Sequence, residues 1–139
     1  MKAVVSAVGL TLALIYAEAA ASDWKALETG PELEVSVDMQ SIAVTDQNYR
    51  KAWVRYVFSE PQVIDQGFPA AYMVAVSLEY ADCRSNSMSM GRTVLYADKL
   101  QQKQIKEANP KGFYFVEPPP DSFGETLHRI ICTKPLKKK

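Results

Sequence analysis

The chain has two cysteines, Cys83 and Cys132, and no others; such a pair constrains a fold when the compartment lets the two sulfurs join. The start of the sequence supplies that condition. Lys2 precedes a nearly unbroken apolar run over residues 3–16, followed by Ala17, Glu18, Ala19, Ala20 and Ala21. A positive start, an apolar stretch and small residues at the cut make a secretory signal peptide. Glu18 interrupts the run short of the roughly 20 apolar residues a membrane span needs, and the run lacks the polar stripe of a packed helix. The expected cut follows Ala21, so residues 1–21 are read as a cleaved signal peptide and residues 22–139 as one exported domain. No Cys near the cut offers a lipid-attachment point. In an exported chain the two cysteines are expected to pair. The bond closes a loop of about 50 residues and disfavours the unfolded state by about 4 kcal/mol, a large share of a typical net stability of about 5–15 kcal/mol.

The mature part, about 118 residues, suffices for one domain with one modest core. Lys plus Arg and Asp plus Glu number 16 each, and the cut removes one of each sign. A balanced chain lacks the concentrated positive face that nucleic-acid phosphates demand.

Hydrophobic alternation organises the rest. Residues 33–39 place Leu33, Val35, Val37 and Met39 on one side and Glu34, Ser36 and Asp38 on the other, as a half-buried strand does. Ser41 to Val44 continues extended, and Thr45, Asp46, Gln47 and Asn48 supply turn chemistry. The return arm is residues 49–58, with Trp53 and Arg55 on the face opposite Val54 and Tyr56; Pro61 is expected to end it. Residues 71–82 alternate through Tyr72, Val74, Val76, Leu78 and Tyr80 and read as the central strand. Cys83 falls opposite the Tyr72 row, which calls for a bulge near Asp82 or for helix contact on the small-residue face, and we favour the contact. Residues 92–98 give a further strand near a bulge-permitting Gly91, residues 99–108 a helical turn or mobile loop, and residues 113–116 a last strand before Pro118, Pro119 and Pro120. Ser122 and Glu125 form a capping box, and Phe123, Leu127, Ile130 and Ile131 recur at helical spacing with Cys132 beside them. The fold class is α+β: an antiparallel sheet of four to six strands packed against a C-terminal helix, with one disulfide.

Reactive constellations are sparse. The single histidine, His128, sits on the helix beside Glu125 and Arg129, where a surface or structural role outweighs general-base catalysis. Asp38, Asp46, Asp65 and Asp82 lack the spacing of a calcium loop. The catalytic, metal and cofactor expectations are therefore empty, and Lys134, Lys137, Lys138 and Lys139 are read as a charged tail. The aromatic residues are more informative, because one helix covers one side of a sheet. Trp53, Tyr56, Tyr72, Tyr96, Phe113 and Phe115 are the candidate interface residues, with Tyr80 and Tyr114 beside them.

Trp24, then Val37-Asp38 with Ser41-Ile42, then Ala52-Trp53-Val54, then Leu78-Glu79-Tyr80-Ala81-Asp82-Cys83, then Pro120-Asp121-Ser122 with Gly124-Glu125, then Cys132, in that order, resemble the bacterial surface-adhesin protein E family over nearly the whole mature chain. The resemblance implies an exported protein of a Gram-negative bacterium, periplasmic or on the outer cell surface, with an antiparallel sheet bridged to a C-terminal helix. It also implies an adhesin that binds host extracellular-matrix or serum proteins and can dimerise, and the missing reactive constellation with the under-covered aromatic sheet makes the expected module noncatalytic. The basic cluster that follows the Asp-Cys element in the family is reduced here to Arg84, with Arg92 farther on. The competing readings are a periplasmic enzyme or small-ligand carrier, which needs a closed concave pocket, and a structural or assembly protein of the envelope. Self-association is expected through the aromatic face or through an edge at residues 49–58 or 113–116. The alternative is a monomer in which residues 101–111 or 33–44 fold across that face.

Overall fold

The computed structural model describes residues 21–64 and 70–136; nearly all of the expected signal peptide, the turn at residues 65–69 and the last three lysines lie outside the described residues. Seven antiparallel strands form one sheet: β1 Trp24–Thr29, β2 Leu33–Asp38, β3 Ala43–Val44, β4 Arg50–Val63, β5 Ala71–Asp82, β6 Ser87–Tyr96 and β7 Gln104–Ala108. Their order is β1-β2-β4-β5-β6-β7, with the short β3 also paired to β4. The single α-helix among the described residues, α1 (Phe123–Thr133), follows the strands, and a short 3-10 turn at Met39–Ser41 links β2 to β3.

Strand β5 runs over the residues its alternation predicts, and its pairing with β4 explains the faces. Ala52 lies opposite Glu79, Val54 opposite Ser77 and Tyr56 opposite Ala75, while the alternate register pairs Trp53 with Leu78, Arg55 with Val76 and Val57 with Val74. Successive side chains point to opposite faces, so the first set lies under the helix and the second on the other face. Under α1, Val35, Val37, Ile42, Ala52, Val54 and Ala81 form a buried cluster with Leu127 and Ile131. Ala52 and Ala81 have no exposed surface, and their short side chains leave room for the helix to approach. The favoured helix contact near Cys83 is therefore what the fold uses.

Several local features hold α1 in place. Ser122 Oγ accepts from the Glu125 backbone N–H at 3.3 Å, and the Glu125 carboxylate reaches past Ser122 to the backbone N–H of Asp121 at 2.8 Å. At the other end Arg50 Nη1 donates to the carbonyls of Ile131 (3.0 Å) and Lys134 (2.7 Å), satisfying acceptors that a helix leaves free. The Cys83–Cys132 disulfide joins the end of β5 to the helix, with Cα atoms 5.7 Å apart.

The structure corrects four expectations. Strand β4 continues through Pro61, because its pairing with β5 breaks between Val57 and Gln62 and its pairing with β2 ends at Phe58, so no ladder hydrogen bond is asked of the proline. Residues 104–108 form an edge strand instead of a helical turn or loop. Residues 113–116 are not a strand: Val116 makes an isolated bridge to Met88, while Phe113 and Phe115 pack against Tyr49. Residues 50–58 are interior to the sheet, flanked by β2 and β5, and offer no free edge. The first strand, β1, has no counterpart in the sequence reading.

Ser77 pairs with Thr93 but Glu79 with Met90, so Leu78 faces both Gly91 and Arg92 across a bulge. A Cβ on Gly91 would sit 2.5 Å from Tyr80 Cε2 and 2.8 Å from the Leu78 carbonyl. Glu79 is buried on the helix side, where Tyr56 donates to it at 3.2 Å. Loss of water pushes its carboxyl up to about 7, against the pull of that hydrogen bond, and burial beside Glu79 raises the Tyr56 hydroxyl as well.

Gly91→Ala is expected to destabilise by about 1–3 kcal/mol through overpacking, read as a lower denaturation midpoint. Replacing both cysteines by alanine is expected to cost about 2–5 kcal/mol, with amide protection in α1 lost before that in β4 and β5. Because the folded chain holds the Glu79 proton more tightly than the unfolded chain, the stability tied to it is full below about pH 4.5. It declines as pH rises toward about 7 and then levels off; the span is on the order of 3 kcal/mol. Urea titrations of Glu79→Gln across this range should lose that component of the slope.

Candidate binding face

The sheet face opposite α1 has no helix over it among the described residues, and pairs of tryptophan and arginine occupy it. Trp24 enters β1 opposite Asp38, and Asp38 belongs to the same face as Ser36, so the Trp24 ring lies on the open side. There the Arg55 guanidinium stands 4.5 Å from its centroid. Trp53, from the middle of β4, has the Arg92 guanidinium 6.0 Å from its ring. A cation above an indole is attracted by the ring quadrupole, and each pair crosses strands.

Hydrogen bonds and charge fix these side chains further. Arg92 Nε donates to Glu107 of β7 at 2.6 Å, which holds the Glu107 carboxyl below its ordinary range and the Arg92 guanidinium above its own. Arg55 Nε and its cross-strand neighbour Ser36 Oγ are buried without a hydrogen-bond partner among the described residues, so contact with the Trp24 ring is what the structure gives the Arg55 head. Val76, Leu78 and Val57 fill the surface between the pairs, all half-buried.

One end of this face is closed by rings. Phe113 stacks edge-on against Tyr80 (4.8 Å) and Tyr49 (5.3 Å), and Phe115 lies 4.7 Å from Tyr49. Arg84 stands 5.9 Å from the Tyr49 ring. The Tyr114 backbone N–H donates to Ser89 Oγ at 2.8 Å, which leaves the Tyr114 ring turned outward and 82% exposed.

The six aromatic residues singled out from the sequence thus occupy different places. Trp53 and Tyr96 are on the open face, Phe113 and Phe115 in the ring cluster at its end, and Tyr72 far along β5 against Phe58 at 5.7 Å. Tyr56 is on the helix side, 6.0 Å from Phe123. Arg55 and Arg92 were not singled out, because their pairing with tryptophan is made between strands and leaves no local motif.

His128 is buried, not on the surface; its Nε2 lies 3.2 Å from the Asp82 carbonyl and 3.5 Å from Cys132 Sγ. A groove of about 680 Å³ beside the helix end is lined by Met39, Gln40, Ile42, Ala43, Val44, Lys134, Pro135 and Leu136, and a cleft of about 240 Å³ beside Tyr80 by Gly91, Arg92, Phe113 and residues 109–112. Neither includes His128 or a carboxylate. Asp38 binds the backbone N–H groups of Asp23 and Gln40, and Asp82 pairs with Arg84. No helix among the described residues is long and apolar enough to cross a membrane.

Comparison with known proteins agrees with this architecture. Crystal form II of Haemophilus influenzae protein E superposes with a TM-score of 0.53 at 18% identity, over 70% of this chain and 79% of that one. Protein E from non-typeable Haemophilus influenzae gives 0.54 at 16% identity, over 77% and 74%. At these identities the likeness establishes the fold. No curated protein sequence matches significantly. The family model for surface-adhesin protein E matches residues 24–133, from Trp24 at the edge of the open face to the end of α1, and the chain belongs to that family.

Proposed function

We propose that this protein is an exported, noncatalytic adhesin-type module that holds a protein partner on the open sheet face, with Trp24, Trp53, Arg55 and Arg92 as the anchors. The observation that supports this reading is the pair of tryptophan–arginine contacts on a face without a covering helix. Tryptophan and arginine dominate the small set of residues that carry most binding energy in protein interfaces. Membership of a surface-adhesin family favours an extracellular-matrix or serum protein of a host as the partner and the outer cell surface as the location.

Self-association belongs to the same face. The sheet edges are poorly suited to it: β1 is interrupted by a bulge between Ala26 and Glu28, while β7 carries Lys106 and Glu107 and is followed by Pro110. Charges, bulges and proline blunt an edge against a new strand. A second copy on the open face would compete with the partner.

Trp53→Ala is expected to weaken binding to an immobilised panel of matrix and serum proteins by about 2 kcal/mol, roughly 30-fold in Kd, whereas Arg129→Ala on the outer side of α1 leaves binding unchanged. Equal binding by both variants would move the contact away from the open face. Light scattering of the oxidised mature chain at rising micromolar concentration should show a dimer that Trp53→Ala removes, and a constant monomer mass would reject self-association.

A further inference from the structure

The environment of the disulfide contains more than a cross-link. His128 and Cys132 are four residues apart on α1 and so share one helix face, and Cys83 arrives from the end of β5. The two sulfurs and a ring nitrogen of His128 all lie within 4.8 Å of one another, and Cys132 Sγ is 3.5 Å from His128 Nε2. In a tetrahedral zinc site, Zn–S bonds of about 2.3 Å and Zn–N bonds of about 2.0–2.1 Å put adjacent sulfur and nitrogen ligands about 3.6 Å apart and adjacent sulfurs about 3.8 Å apart. For Cys132 the sulfur–nitrogen spacing is already present. With the Cα atoms 5.7 Å apart, the sulfur–sulfur spacing is reached by side-chain rotation once the S–S bond is absent.

The setting of each group suits the same role. His128 is the chain's one histidine, and it is buried with Nε2 turned toward the sulfur and the Asp82 carbonyl, where a histidine on an open helix face would be solvated. Cys83 is exposed, so a metal ion could enter from that side and keep a solvent-filled fourth position. Thiolates and imidazole are the donors that zinc favours.

We propose that Cys83, Cys132 and His128 form a zinc site in the dithiol state of the protein, exclusive of the disulfide because both states use the same two sulfurs. Before the S–S bond forms, the chain holds two thiols. Zinc binding replaces their two S–H bonds by two Zn–S bonds and releases two protons, while the His128 proton passes from Nε2, where it is donated to the Asp82 carbonyl, to Nδ1, and the freed Nε2 lone pair takes the ion in exchange for that hydrogen bond. A disulfide donor then takes two electrons by thiol–disulfide exchange. The Cys83–Cys132 bond forms, the donor takes two protons from water and becomes a dithiol, and the ion is expelled. An exported dithiol reductant reverses the exchange and becomes a disulfide.

The test titrates the mature chain, reduced with a phosphine under nitrogen, with Co²⁺ as the spectroscopic stand-in for zinc. One equivalent should give thiolate-to-cobalt charge transfer and the intense visible bands of a tetrahedral site, both abolished by Zn²⁺, with two protons released per ion and no such spectrum from the oxidised chain. The imidazole resonances of the single histidine should move on addition of Zn²⁺ to the reduced chain. His128→Gln should weaken the metal by at least about tenfold, the lower limit known even for losing an outer-shell partner. If reduction alone melts α1, recovery of its circular dichroism with the ion supports the site. A reduced chain, folded or not, that gives no charge-transfer band overturns it. So does a His128 resonance that does not move when the metal binds.

Discussion

The docking of α1 onto β4 and β5 is the contact on which the rest of the structure depends. Ala52 and Ala81 provide a shallow patch, and Leu127 and Ile131 fill it between Val35, Val37 and Val54. Larger side chains at the alanine positions would lift the helix and open voids around both neighbours, which close-packed interiors tolerate poorly. Arg50 and the disulfide act on the same seam from its two sides: Arg50 takes the last carbonyls of the helix, and Cys83 ties the end of β5 to Cys132. An eleven-residue helix is marginal alone in water, so its order comes from this docking.

Because one helix closes one face, the sheet is asymmetric. The helix side hides its polar groups in pairs, Tyr56 with Glu79 and Ser77 with Thr93 at 2.6 Å. The open side is held laterally, by tryptophan against arginine and by Arg92 against Glu107. Its lower end is shut by Tyr49, Tyr80, Phe113 and Phe115, which pack residues 113–115 onto the sheet without adding a strand.

The parts of the fold that were legible in the sequence are those whose signals are local. The alternation of residues 71–82 defines β5, Ser122 and Glu125 mark the start of α1, and a lone pair of cysteines in an exported chain points to the disulfide. The edge strands were not legible. Two of every three residues of β1 are exposed, and a bulge breaks its period; β7 reads Gln-Ile-Lys-Glu-Ala because an edge is protected by charge. Phe113 to Val116 misled for the opposite reason, since a β-like apolar run found ring partners instead of a ladder. Trp53 was visible as a candidate interface residue. Arg55 and Arg92 became visible only in register, because each meets its tryptophan from another strand.

That register also bears on how the open face could bind without a second packed layer. A partner that orders a free arginine or a free indole must offset the lost side-chain freedom, roughly 0.5–1.5 kcal/mol for each immobilised side chain. Here part of that loss is taken on folding. Arg92 is held by Glu107 and stands over Trp53, while Arg55, half-buried between β2 and β5, is set against Trp24. The apolar ground between them is strand backbone with Val57, Val76 and Leu78, which cannot move independently of the sheet. A surface of this kind presents large rings and fixed positive groups already in place, and its geometry rests on the same β4–β5 pairing that seats the helix on the other side.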